Sequence, residues 1–246
     1  RGVATFRVSA WRIGAFAAGM VTLFIALISP LDALSATLFA GHMVQHLLLV
    51  LIAAPLLAFS RPMAALLRGL PWGWRKAVGR VAHAPVVRGG WETLIHPVTA
   101  TLLHIAVMWV WHIPGFYRAA LTYPALHALQ HASFFGTALL FWWMILRTQN
   151  YGGRVLSVFG VMMTTGLLGA LMTFATTPWY EAHTAFVSAW GLTVLEDQQL
   201  AGLFMWIPAG FAYIATAAWL LGAWLNAVEQ QMTAHERQLA KDMRDA

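Results

Sequence analysis

The sequence contains no cysteine in its 246 residues. Disulfides, iron–sulfur clusters and thiolate metal sites are therefore excluded, and any metal must be bound by His, Met, Asp or Glu. Charged residues make up only 10% of the chain, against about 25% in a typical soluble domain, whereas 60% of the residues are hydrophobic. This composition excludes a water-soluble globular domain and predicts an integral membrane protein.

Apolar runs long enough to cross a hydrocarbon core of about 30 Å recur along the chain. We predict an all-α, polytopic membrane helix bundle with six transmembrane helices in a single integral membrane domain, residues 1–246. The predicted spans are 11–28, 38–59, 97–113, 125–146, 156–176 and 200–226. The chain opens at Arg1 without a Met or a signal-peptide pattern, so we expect one further N-terminal helix in the native protein.

The basic residues predict how the bundle is oriented. Fourteen of the 15 Lys and Arg residues lie in the N-terminal segment, the loop 61–96, the loop after the fourth span and the tail 227–246. These segments fall on one side of the membrane, and the opposite side carries only Arg118. By the positive-inside rule, both ends of the chain are predicted to be cytoplasmic. The basic charge is thus a topology signal and a surface for anionic lipid, and no nucleic-acid partner is predicted.

This orientation places seven of the ten histidines in the outer half of the membrane or in outer loops. His42 and His46 lie near the start of the second span, and His127 and His131 near the start of the fourth. Each pair has i, i+4 spacing, which puts two imidazoles on one helix face about 6 Å apart along the axis. Two helices can therefore each present a pair of imidazoles at the same depth.

The third span carries a stripe of His104, Met108 and His112 at i, i+4 and i+8. Three neighbouring helices can thus direct imidazoles into one space, which predicts a metal site. Imidazole and thioether ligands suit copper, whereas calcium or magnesium sites would be rich in carboxylates; zinc and iron also accept imidazole. The predicted metal ligands are His42, His46, His112, His127 and His131.

Further residues at the same level could bind the metal or orient a ligand histidine. They are Met172, Asp197, Asp32, His104, Met108 and His183. Simpler interpretations stay open: a histidine at the end of a span is often interfacial, and a paired histidine can hydrogen-bond to a backbone carbonyl or to Gln45. Asp197 can equally be a helix cap. Met43 is expected to point to a different face from His42.

Three other kinds of protein remain compatible with these residues. In a haem protein, two histidines from different helices would bind the iron, although paired histidines on one helix suit this poorly. A membrane enzyme with a di-iron or zinc centre would need an open coordination position and carboxylates near the metal. A copper transporter would need polar groups that continue into the cytoplasmic half, and few are found below His104.

Several motifs follow one another in the order seen in a known family. They are SPLD at 29–32, HMVQHLLL at 42–49, WHIPGFYRAAL at 111–121, LHALQHASFFGTALLFW at 126–142, TPWY at 177–180 and DQQLAGLFMWIPAG at 197–210. Over about residues 10 to 226 the chain resembles the multi-span CtaG family of cytochrome c oxidase assembly factors. The single-span, cysteine-bearing copper chaperone that shares this family name is a different kind of protein, because this chain has many spans and no cysteine.

The resemblance implies a non-enzymatic protein of the bacterial plasma (inner) membrane that matures a haem–copper oxidase. Its implied cargo is copper, supplied to the oxidase subunit that carries the copper-B centre. From the imidazoles and the orientation of the bundle we expect Cu(I), entering from the outer side. An extracellular or periplasmic copper donor and a homo-oligomer are both compatible with it. The motif positions carried over are His42, His46, His112, His127, His131 and Asp197, with Asp32 and Tyr180 in matching motifs.

Overall fold

The computed structural model describes residues 9–180 and 184–245, and this part of the chain is helical and contains no strand. The helices are α1 (Ala10–Ile28), α2 (Pro30–Ser35), α3 (Phe39–Leu47), α4 (Ala54–Ser60), α5 (Pro62–Gly69), α6 (Trp72–Ala82), α7 (Pro85–Leu94), α8 (Pro97–Trp111), α9 (Pro114–Thr122), α10 (Pro124–Arg147), α11 (Tyr151–Thr173), α12 (Thr184–Val187) and α13 (Val194–Asp245). A π-helical segment, Leu48–Ala53, joins α3 to α4, and a 3₁₀ turn, Ser188–Trp190, follows α12.

Prolines mark where many of these helices begin. Six of them, α2, α5, α7, α8, α9 and α10, start at a proline. The first helical position needs no intrahelical N–H, and the fixed φ of proline already matches a helix. Only one or two residues separate each of these six helices from the helix before it.

Five segments of the described chain are long and apolar enough to cross a membrane. They are α1, the continuous run Phe39–Ser60, α10, α11 and the first part of α13. The remaining predicted span, 97–113, corresponds to α8, which has 15 residues and is about 22 Å long at 1.5 Å per residue. It completes a span only together with α7, from which it is bent by 65°. The polytopic helical bundle is thus confirmed, with five candidate spans, or six if this bent pair is counted.

The predicted loop and tail are also helical. The loop 61–96 contains the exposed short helices α5, α6 and α7, and its Trp72 and Trp74 side chains are exposed. Helix α13 continues without a break through the predicted tail to Asp245, so the last span and the tail form one helix. The buried core lies among α3, α8, α10, α11 and α13, whereas α1 is mostly exposed.

Helices α11 and α13 approach each other through glycine. A Cβ atom built on Gly202 would lie 2.6 Å from the carbonyl oxygen of Gly169 and 2.6 Å from the Oγ1 of Thr173. Real Cβ atoms do not come this close, so only glycine fits at this crossing. Small residues of this kind allow membrane helices to pack backbone against backbone.

One backbone carbonyl of the π-helical segment has no hydrogen-bond donor within the helix, and a tryptophan side chain donates to it instead. In a π-helix the carbonyl of residue i accepts from the N–H of residue i+5, and for Val50 that residue is Pro55, which has no N–H. The indole Nε1 of Trp142, on α10, donates to the Val50 carbonyl at 2.8 Å. Because lipid offers no hydrogen-bond partner, this contact fixes α10 against the histidine-bearing helix.

Candidate metal centre

Four imidazoles from α3 and α10 come together inside the bundle. The rings within each i, i+4 pair have centroids 4.3 Å apart, for His42 with His46 and for His127 with His131. Across the helices, the centroids of His42 and His127 are 5.4 Å apart and those of His46 and His131 are 5.2 Å apart. The predicted convergence of two histidine pairs is therefore present in the fold.

Three of these rings have nitrogen atoms close enough for a common ion. One ring nitrogen of each of His42, His46 and His131 lies within 4.8 Å of the others. Two nitrogen ligands of one zinc-sized ion lie no more than about 4 Å apart, so separations within this bound are near what a shared ion requires. His127 extends the group through its ring contacts with His42 and His131.

The cluster contains buried nitrogen atoms that the protein itself does not satisfy. Within residues 9–180 and 184–245, four ring nitrogens of the cluster have no hydrogen-bond partner: Nδ1 and Nε2 of His46, Nε2 of His127 and Nε2 of His131. These atoms are also shielded from solvent. An unsatisfied buried polar group costs about 1–3 kcal/mol. A metal ion bound by these nitrogens would remove that cost, so the residues fit a metal held by neutral imidazoles.

The start of α3 is held by an acid from the far end of the chain. Asp197, which is almost fully buried, accepts the backbone N–H of Phe39 at 2.7 Å and that of Ala40 at 2.9 Å. These are two of the N–H groups that a helix start leaves without an intrahelical partner, and a carboxylate also stabilises the positive end of the helix dipole. Asp197 therefore positions the helix that carries His42 and His46.

The glutamine between the two histidines fixes the other flank of α3. The Nε2 of Gln45 donates to the carbonyl of Ala26 at 2.6 Å and to Oδ1 of Asp32 at 3.0 Å. It thus ties α3 to the last turn of α1 and to α2. Asp32 in turn lines a groove, open at the surface between α1 and α10, that the half-buried His127 and His131 also line.

Aromatic rings cover the cluster on the side of α9. The ring of Tyr117 meets that of His42 edge-on at 5.3 Å, and Tyr117 contacts Tyr180 at 5.2 Å. Phe39 packs between the two tyrosines. Burial raises the pKa of both phenols, and the nearby Asp197 raises that of Tyr117 further. The Tyr180 hydroxyl therefore stays protonated, and it donates to the backbone carbonyl of His112.

His112 lies beside the cluster, in contact with a methionine. Its Nε2 is 3.4 Å from Sδ of Met43, and its Nδ1 is 2.6 Å from the carbonyl oxygen of Met108. His112, Met43 and Met108 line one internal cavity together with His46. His112 thus lies near the other predicted ligands, but it lines this cavity and is not one of the four converging imidazoles.

The remaining predicted residues are placed as follows. His104 is fully buried on α8, where its Nδ1 donates to Oγ1 of Thr137 at 3.0 Å. Met172 is fully buried in the core but does not line the cavity next to His46. His183 lies outside the described residues. The metal role of each of these residues stays a prediction.

Two neighbours of the histidines were not among the predicted site residues. Met43 does lie on another face from His42, as expected, but that face meets His112. Tyr117 stands within the motif WHIPGFYRAAL, five positions after His112, and covers His42. The motif is the only signal for Tyr117, because a tyrosine in an outer segment is otherwise typical of the membrane interface.

The chain is similar to a known protein family and to curated proteins of two mycobacteria. The family model described as cytochrome c oxidase caa3 assembly factor (Caa3_CtaG) matches residues 1–227. Curated relatives include an uncharacterized protein of Mycobacterium bovis and one of Mycobacterium tuberculosis, each 25% identical over 256 residues. Each alignment covers 97% of this chain and 38% of the relative, so the chain spans well under half the length of these relatives. No solved structure matches the chain.

Proposed function

Because the chain belongs to the cytochrome c oxidase caa3 assembly factor family, we propose that it binds copper and supplies it to the copper-B centre of the oxidase. The family is one of cytochrome c oxidase assembly factors, and we propose an oxidase as the partner of this chain. The copper cargo, the receiving subunit and the non-enzymatic role are the proposal. It is supported above all by the convergence of four imidazoles, those of His42, His46, His127 and His131. Buried ring nitrogens of His46, His127 and His131 have no hydrogen-bond partner among the described residues.

Neutral imidazoles suit a metal that must be handed on. Copper in either oxidation state accepts imidazole nitrogen, and a site without thiolates binds less tightly than a closed thiolate cage. The chain contains no cysteine, so a thiolate cage is excluded. We therefore expect Cu(I) to be held firmly enough to be retained and loosely enough to be exchanged.

The groove beside His127 and His131 is the proposed path for the metal. It places the carboxylate of Asp32 next to the two imidazoles of α10. By the positive-inside rule, this end of the bundle faces the outside of the plasma membrane, because the basic loop 61–96 lies at the opposite end. Copper from an extracellular or periplasmic donor would then enter at the groove.

The geometry of the histidine cluster favours one bound copper ion in that cluster over a haem or a di-iron centre. A haem needs its two axial ligands on opposite faces of a wide macrocycle, whereas these four rings crowd one another at centroid distances of 4.3 to 5.6 Å. A di-iron site is typically rich in carboxylates. In the described residues, the group of three ligand atoms within 4.8 Å consists of histidines alone.

The first test measures copper in the purified protein. The double variant His46→Ala, His131→Ala should lose the copper of the histidine cluster, as measured by elemental analysis after loading and desalting in detergent. His235→Ala, which changes an exposed histidine far along α13, should retain it. Copper content equal to that of the parent in the double variant, with unchanged circular dichroism, would remove the proposed site.

The second test measures the oxidase. Cells that depend on the double variant should make an oxidase that contains haem but is deficient in copper at the copper-B centre, because the copper supply is lost. Cells with His235→Ala should make an oxidase with full copper content. An oxidase with full copper content from the double variant, at limiting external copper, would show that the cluster does not supply it.

A further inference from the structure

We propose that the cavity next to the histidine cluster is a second metal site, specific for a soft monovalent ion such as Cu(I) and built from thioether sulfur and imidazole. Its ligands are Met43 and His112, with Met108 and Met205 on the same walls. Its physiological role rests on the copper function proposed above. Its existence as a binding site rests on its own geometry.

In the contact between the Met43 sulfur and Nε2 of His112, neither atom carries a proton that it can donate to the other. A carbonyl oxygen can only accept, so the Nδ1 of His112 carries the hydrogen that bonds to the Met108 carbonyl at 2.6 Å. In the neutral ring, Nε2 then presents a lone pair, and it faces the lone pairs of the Met43 sulfur at 3.4 Å. A cation between the two atoms would turn this contact between acceptors into two bonds. The separation is within the reach of two ligands on one ion.

The cavity has room for one ion and little else. Its volume is about 20 Å³, and about 10–15 Å³ is enough for one water-sized particle. Three methionines, Met43, Met108 and Met205, line it, and all three are almost fully buried. Thioethers select Cu(I) over harder divalent ions, and the surrounding apolar side chains disfavour a double charge.

Methionines also fill gaps in helix bundles, and packing is the competing explanation. Packing accounts for a methionine against leucine or phenylalanine. It does not account for a sulfur held at a ring nitrogen whose orientation is fixed from the opposite side by a backbone carbonyl. The backbone of His112 is held as well, since its carbonyl accepts from Tyr180. The nitrogen is therefore aimed at the sulfur by two independent contacts.

His46 connects the two sites. Its ring contacts those of His42 and His131 in the cluster, and the same residue lines the cavity. A copper ion could therefore pass from the cluster to the cavity by exchanging ligands around one imidazole. The groove, the cluster and the cavity then form a path with a nitrogen-rich outer position and a sulfur-containing inner one.

The experiment counts Cu(I) in the full chain, purified in detergent and loaded without oxygen against the chelator bathocuproine disulfonate. The parent should bind two Cu(I) per chain, and copper X-ray absorption should show sulfur as well as nitrogen ligands. The double variant Met43→Leu, Met205→Leu should bind one, with the sulfur signal lost. Leucine conserves the volume, so the fold is retained. The control Met163→Leu, at an exposed position on α11, should still bind two.

A second pair of changes separates this inference from the proposed function. The double variant His127→Ala, His131→Ala should lose the ion of the cluster and keep the sulfur-bound one. If the parent binds one Cu(I) through nitrogen alone and the methionine variant binds the same amount, the second site is overturned while the cluster stands. If the parent binds one Cu(I) with sulfur ligands and the histidine variant keeps it, the cluster is overturned and the second site stands.

Discussion

The carboxylate of Asp197, at the start of α13, accepts the backbone N–H of Phe39, at the start of α3. The two residues are 158 positions apart in sequence. The contact ties the first turn of the histidine-bearing helix to the last long helix of the bundle. The histidine cluster thus depends on an acid that does not itself belong to it.

Replacement of Asp197 with Asn should weaken both the fold and the site. The amide keeps one oxygen, but its NH₂ group would face a backbone N–H, and one buried donor at the start of α3 would lose its partner. We expect a loss of about 1–3 kcal/mol in the free energy of unfolding. Copper affinity should fall as well, because His42 and His46 are set by the position of α3. Thermal unfolding in detergent and a Cu(I) competition titration measure the two effects.

Glu196→Gln is the matched control for this prediction. Glu196 is the preceding residue and is exposed, and its carboxylate accepts from the backbone and side chain of Thr193 in its own first turn. Its replacement should leave copper affinity unchanged and alter unfolding only slightly. Equal effects of the two substitutions on copper affinity would mean that the cap on α3 does not position the histidines.

The crossing of α11 and α13 should tolerate no side chain at Gly202. In Gly202→Ala the new Cβ would lie 2.6 Å from the carbonyl of Gly169, and both atoms are rigid. Such overpacking costs about 1–3 kcal/mol, more than alanine gains as a helix former. Gly210→Ala, two turns later on the same helix with open space around it, should be neutral or stabilising. Melting temperatures of the two variants in the same detergent decide the matter.

The histidine spacing predicted the cluster because it depends on local geometry alone. Residues at i and i+4 share a helix face wherever the helix lies, so His42 with His46 and His127 with His131 had to form pairs. Their depth followed from the basic residues, which predict the orientation. The contact between the two pairs is a property of the fold, and the order of spans placed both at the same end of the bundle.

Contacts that depend on how helices pack could not be predicted in this way. The face of α3 that carries Met43 was visible in the sequence, but its neighbour His112 depends on where α8 lies. The sequence allows Asp197 to be a helix cap, but it does not indicate that the capped helix is α3. The predicted span 97–113 exceeds α8 by two residues, because the apolar run continues to Ile113 although the helix ends at Trp111. The bend of 65° between α7 and α8 also depends on how the helices pack.

Trp142→Phe should show that the π-helical segment needs its partner. The phenyl ring fills most of the same space but cannot donate, so the buried carbonyl of Val50 would lose its hydrogen bond. We expect a loss of about 1–3 kcal/mol in the free energy of unfolding. Trp219→Phe, at an exposed position on α13, is the control and should change stability little. If both variants melt at the temperature of the parent, the hydrogen bond from Trp142 does not stabilise the π-helical segment.

Asp32 should govern how fast the metal arrives rather than how much is bound. Its carboxylate lines the groove beside His127 and His131 but is not one of the ring nitrogens that converge. A negative charge at the mouth of a groove attracts cations and raises the association rate, and added salt weakens this effect. Asp32→Asn should therefore slow Cu(I) uptake several-fold at low salt and leave the final stoichiometry unchanged.

The measurement is the rate of transfer from a chelator at two salt concentrations. The rates of the parent and of Asp32→Asn should approach each other at high salt, since screening removes the advantage of the charge. Glu92→Gln, which changes an exposed acid on α7 at the basic end of the chain, controls for net charge and should not slow uptake. A lower stoichiometry in Asp32→Asn would instead make the carboxylate a ligand. If Glu92→Gln slows Cu(I) uptake as much as Asp32→Asn does, the slowing comes from the net charge of the protein. The groove would then not be the path of the metal.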